Sequence, residues 1–140
     1  MKSKPKTVYS NPGFPYWTVA PGYELPPEDK PVTRSQIVAW SHPAQQGSNP
    51  RPDGFEIHRR LRSEFLILKT IGLVTLTYYR NNPRKKPDEF RNIRMIGLRH
   101  VVLGPYAGRL FAPYLNTNNE LGWMDLFSGM TCLDKFPLHR

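Results

Sequence analysis

The densest group of side chains able to do chemistry in this sequence is the run Arg80-Asn-Asn-Pro-Arg-Lys-Lys86, with Arg80, Arg84, Lys85 and Lys86 as its cations. A second basic group, Arg59, Arg60 and Arg62, lies about twenty residues earlier. Such clusters neutralise phosphates, either on an RNA backbone or on anionic lipid head groups. The bland alternative is a solvated loop. Other chemistries lack their parts. His42, His58, His100 and His139 are not spaced as metal ligands, and Cys132 with His139 stands alone where zinc usually takes four ligands. A nucleophilic pair of Cys132 and His100 has no Gly-rich elbow or oxyanion donor beside it; a small buried or lipid-facing cysteine is the simpler reading. No phosphate-cradling Gly-rich loop is followed by a lysine. The expectation is a protein with no catalytic residue, no cofactor, no metal and no small-molecule substrate.

The whole chain points to an anionic partner. Its 140 residues suit one domain, and 20 Lys+Arg against 11 Asp+Glu give a net charge of +9. Residues 56–99 hold eleven of those cations against four carboxylates, whereas residues 104–140 are balanced. The single cysteine excludes an internal disulfide and argues against a small secreted scaffold. The basic N-terminus lacks an apolar core for a secretory signal, and Pro5, Pro12 and Pro15 would break a presequence helix; it reads as a mature end.

Three zones would have to position these groups. Residues 1–55 contain ten of the fifteen prolines and several aromatics, including Phe14, Tyr16, Trp17, Tyr23 and Trp40. They read as an extended arm laid along something else, with one short helix near 34–41 from the capping-box spacing of Thr33 and Gln36. Residues 56–103 read as the helical segment. Asp53 and Glu56 mark a start, Asn81-Asn82-Pro83 a stop, and residues 65–79 are apolar on every side. That predicts a short transmembrane or membrane-embedded helix over about 56–82, with basic collars at both ends and Tyr78 and Tyr79 as membrane-interface anchors. Its apolar stretch rises only about 22 Å against the ~30 Å of a hydrocarbon core. A buried helix of a soluble α-domain remains the alternative. Phe90, Ile93, Gly97, Val101 and Gly104 then predict an amphipathic helix over about 88–103. Residues 104–140 read as a peripheral docking tail, with a turn at Asn116-Thr-Asn-Asn119 and one or two helical turns in 121–127. The fold class expected is mainly α with long irregular Pro-rich extensions and no independent globular core.

The fragment Ile57-His-Arg-Arg-Leu61, leading into the apolar segment and Tyr78-Tyr79, is similar to a small membrane subunit of the NADH dehydrogenase complex. The whole layout resembles the single-span supernumerary subunits of mitochondrial respiratory complexes. That resemblance implies a non-catalytic accessory subunit of the inner membrane, supporting assembly and stability and touching neighbouring subunits and anionic lipid. The alternative from charge and extended arms is an organellar ribosomal or ribonucleoprotein component, in the mitochondrial matrix, binding RNA through its basic segments.

Overall fold

A computed structural model describes residues 8–9, 17–47, 50–104 and 109–140. Among these, the chain forms eight short strands and two short α-helices: β1 (Val8–Tyr9), β2 (Trp17–Val19), β3 (Ile37–Trp40), α1 (Gly54–Ser63), α2 (Leu73–Asn81), β4 (Arg94–Ile96), β5 (Val102–Leu103), β6 (Leu110–Leu115), β7 (Leu121–Asp125) and β8 (Asp134–His139). The fold is therefore a mixed sheet with helices on it, and the mainly α expectation is overturned. No helix among the described residues is long and apolar enough to cross a membrane.

Helix α1 forms for reasons visible in the sequence. The Asp53 carboxylate accepts the Glu56 N–H at 2.9 Å, Glu56 lies in the first turn, and Arg60 and Arg62 lie in the last, complementing the helix dipole. Ile57, His58 and Leu61 form its buried stripe. The helix ends where the sequence shows no breaker. Phe65 adopts φ 59°, its N–H donates to the Arg62 carbonyl, and the Leu66 N–H donates to the Leu61 carbonyl at 2.8 Å. This is a Schellman stop with phenylalanine where glycine is usual. It divides the single helix expected over 56–82 into two, joined by a turn whose Lys69 is exposed.

Helix α2 is apolar on all sides because protein surrounds it on most of them. Gly72 supplies no side-chain cap, so the exposed amides of the first turn are capped from elsewhere. The Leu73 N–H donates to His100 Nδ1 at 3.0 Å and the Val74 N–H to Glu28 Oε1 at 3.0 Å. Glu28 also accepts the Thr75 hydroxyl at 2.6 Å, that hydroxyl accepts the Val32 N–H, and the Tyr79 hydroxyl donates to the Val32 carbonyl at 2.7 Å. The arm is thus laid along this chain's own second helix.

Strand β6 organises the sheet. Along one edge it pairs antiparallel with β4 and then β5, and along the other with β7. Beyond β4 lies β8, the one parallel pairing, followed by β3; beyond β5 lie β2 and β1. The amphipathic helix expected over 88–103 is absent. A 3₁₀ turn at Asp88–Phe90 leads through Asn92 at φ 62° into β4 and β5. The helical turns expected in 121–127 are instead β7, and the helix expected near 34–41 is a 3₁₀ turn followed by β3. The turn at 116–119 is present, with Asn116 Oδ1 accepting the N–H groups of Asn118 and Glu120.

Residues from all three zones build a core, contrary to expectation. One cluster packs Ile57 and Leu61 of α1 on Ile96, Ala112, Met124, Leu126, Phe136 and Leu138. The other packs Leu76 and Tyr79 of α2 on Ile37, Phe90, Met95 and Leu115. Burying each large apolar side chain contributes about 1.5–3 kcal/mol, which is why the twenty-one buried hydrophobics among the described residues can hold strands this short. Between β4 and β8, Asp134, fully buried, accepts Arg94 Nε at 2.6 Å and the Thr131 N–H at 2.8 Å.

Candidate nucleic-acid interface

The two basic groups of the sequence have opposite surroundings. On α1, Arg59 forks onto Glu56, with Nε–Oε1 and NH2–Oε2 both at 2.7 Å, and Arg60 pairs with Glu64 one turn on. The Arg59 fork, aided by a hydrogen bond from His42, holds the Glu56 carboxyl down at about 2 against the opposing effect of burial. His42 Nδ1 accepts the Ala44 N–H, so Nε2 carries the proton and donates to Glu56 at 3.0 Å. That lone pair is taken, which makes this Glu–His contact a structural brace and not a general base. His58 is buried against Tyr23; burial and then the Arg62 charge push it down to about 4, so it is neutral at pH 7. Arg62 lines a cavity with Tyr23 and His58.

The 80–86 segment is different. Arg80, Arg84 and Lys85 are exposed, and none of the segment's four cations has a carboxylate partner among the described residues. Its conformation is fixed from the arm. The Arg34 guanidinium donates to three successive carbonyls, those of Arg84 at 3.2 Å, Lys85 at 3.3 Å and Lys86 at 2.9 Å. A planar fork with five donors in a fixed geometry can serve all three carbonyls at once. The bonds also occupy oxygens that would otherwise repel an anion. Pro83 and the Lys85 N–H bonded to the Asn82 carbonyl close the same turn.

Beside this turn is an open cleft of about 540 Å³ lined by Thr33, Arg34, Ser35, Tyr78, Arg84 and Lys85. Lys85 Nζ stands 5.8 Å from the centre of the Tyr78 ring, and that ring meets Tyr79 edge-on at 5.1 Å. Three cations, two hydroxyls and an aromatic face in one cleft can neutralise phosphates and stack a base.

Of the residues singled out in the sequence, the fold brings Arg84, Lys85 and Tyr78 together here and leaves Arg59 and Arg60 in ion pairs on α1. Lys86 is buried on the turn, at 8 % exposure. Tyr79 is fully buried and its phenol is pushed up to about 12 by burial first, so it cannot anchor at an interface. Without a span, the anchor role of Tyr78 lapses too. Arg34, Thr33 and Ser35 were not foreseen, because about fifty residues of chain separate them from the turn they complete. The aromatic run at 14–16 lies outside the described residues. Cys132, expected to be buried or lipid-facing, is exposed. His100 is buried at the start of α2 and pushed down to about 4, by burial and then by Arg99. Among the described residues no three of His, Cys, Asp and Glu gather as a metal site. Compared with known protein families, curated proteins and solved structures, the chain matches none, so this cleft and turn are the grounds for a functional reading.

Proposed function

We propose that this protein is a non-catalytic component of a ribonucleoprotein that binds single-stranded RNA on the Arg34-braced turn. Arg84 and Lys85 contact phosphates, Arg80 extends the basic track, and Tyr78 offers a face on which a base stacks. The observation that carries the reading is the contrast between the two basic groups: the 80–86 cations have no carboxylate partner among the described residues and the backbone at 84–86 is held by Arg34, whereas Arg59 and Arg60 are matched to carboxylates. A pre-formed turn loses little entropy on binding. The membrane-subunit reading leaned on a spanning helix, and no helix among the described residues is long and apolar enough to cross a membrane. Its remaining content, an accessory protein at an anionic surface, becomes an outcome of the same test.

The test is titration of a labelled oligoribonucleotide, and separately of vesicles rich in anionic lipid, against the wild type and Arg84→Ala/Lys85→Ala. The expected result is RNA binding that weakens about tenfold in the double variant, with the slope of log affinity against log salt falling by roughly 1.4, as two lost phosphate contacts on a single strand require. Equal RNA affinity in both proteins, or binding to vesicles with none to RNA, would overturn the proposal.

A further inference from the structure

The same turn also borders a smaller and more enclosed cavity of about 200 Å³, lined by Pro83, Lys86, Pro87, Arg91, Asn92, Thr117 and Asn119. Lys86 is 8 % exposed, yet its Nζ has a single protein partner among the described residues, Asn119 Oδ1 at a long 3.5 Å. An ammonium has three donors, and burying one unpaired is costly. No carboxylate among the described residues lines the cavity. The nearest acidic side chain in sequence, Asp88, is exposed and pairs with Arg91 at 2.7 Å, which leaves other guanidinium donors free to serve the cavity. Burial pushes the Lys86 ammonium below its ordinary value, as expected for a cation whose counter-charge is missing. Asn119 has its amide N–H donors and Thr117 a hydroxyl on the same wall.

We infer that this cavity is a socket for a terminal phosphate group, a phosphomonoester dianion of which inorganic phosphate is the smallest member, held by Lys86 and Arg91 with Asn119 and Thr117. Size sets the class. One water takes about 30 Å³, so the cavity accepts a tetrahedral oxoanion with a few waters, and it falls short of the roughly 300–1,000 Å³ of sites that enclose a drug-sized ligand. An internal phosphodiester carries a sugar on each side and a single charge. A terminal phosphate has three free oxygens and nearly two charges, which suits two cations and neutral donors. Together with the RNA reading, on which this last step rests, the socket would seat a strand end while the cleft beside the turn holds the chain behind it.

The test measures thermal unfolding with inorganic phosphate against chloride at matched ionic strength, for the wild type, Lys86→Met, Arg91→Gln and the exposed-charge control Lys30→Met. A site that binds only the folded state raises Tm in a saturable way. The wild type and Lys30→Met should gain several degrees, Lys86→Met nothing, and Arg91→Gln clearly less. Arg91 is exposed, so its variant folds and keeps the test informative if Lys86→Met does not. No phosphate-specific gain in the wild type, or an equal gain in the Lys86 and Arg91 variants, would overturn the socket. A second arm compares 5′-phosphorylated and 5′-hydroxyl oligoribonucleotides. About tenfold preference for the phosphorylated strand, lost in Lys86→Met, is expected of one added charge-assisted seat. A phosphate gain with no RNA binding at all supports the socket and counts against the ribonucleoprotein reading, so the two failures are distinguishable.

Discussion

Two basic segments with similar charge in the sequence have come to opposite ends in the fold. Arg59 and Arg60 stand on a regular helix, where residues three and four apart are neighbours, and Glu56 and Glu64 occupy those neighbouring positions. The 80–86 segment leaves its helix at Asn82 and turns, so no such spacing applies, and a distant arginine fixes the backbone instead. Charge in a sequence therefore says little about charge available to a ligand until its local periodicity is known. A third arginine, Arg94, shows the far limit of compensation, paired with a carboxylate buried completely.

Breaking that buried pair should have the largest effect. Asp134→Ala leaves the Thr131 N–H without its acceptor and Arg94 without its counter-charge, and should cost about 3 kcal/mol in denaturant unfolding. A loss well under 1 kcal/mol would show that solvent at the half-exposed Arg94 replaces the carboxylate. The comparison between the two surface groups is sharpened by setting Arg59→Ala/Arg60→Ala beside Arg84→Ala/Lys85→Ala. The α1 pair should change RNA affinity by no more than about twofold, against about tenfold for the turn, although each removes two charges. Similar losses from both would mean that net charge alone governs binding.

The exit of α1 offers a gain. Phe65 holds a left-handed conformation with its side chain 89 % exposed, so Phe65→Gly relieves backbone strain without removing packing. Stability should rise by about 1 kcal/mol, read as a higher unfolding midpoint. A fall would show that the exposed ring makes a contribution to the folded state that its surroundings do not reveal.

Acid should produce the most gradual change. His58 and His100 sit near 4 in the fold and 6.5 when unfolded, so between those values the unfolded chain binds more protons. Their contribution is complete above about pH 6.5, falls as the pH drops, and is exhausted below about pH 4. Glu56, held at about 2 against an ordinary 4.5, adds a second loss between those values with the same sign. Unfolding midpoints measured from pH 7 to pH 4 should decline, and His58→Gln should flatten part of that decline. A flat profile for the wild type would refute the buried-neutral assignment.

What the sequence determined by itself are features written in neighbouring residues. The Asp53 cap and first-turn Glu56 start α1, the asparagine run at 116–119 makes a turn, and the basic run at 80–86 follows a helix end; each depends on contacts within about four residues. Only the tertiary structure decided the rest. Strands of two to six residues are too short to show a period of two, and their partners lie far away, as β3 and β8 pair Ile37 with His139. The apolar residues of 71–79 look alike whether lipid or protein covers them, and only the arm, with Glu28 and Val32 bonded to α2, shows that protein covers most of them. The stop at Phe65 has no sequence signal because phenylalanine resists the conformation it holds. The cleft and socket are legible in their loop but not in their walls, since Arg34 and Asn119 reach the turn from about fifty residues before it and thirty after, and spacing carries no information over that distance.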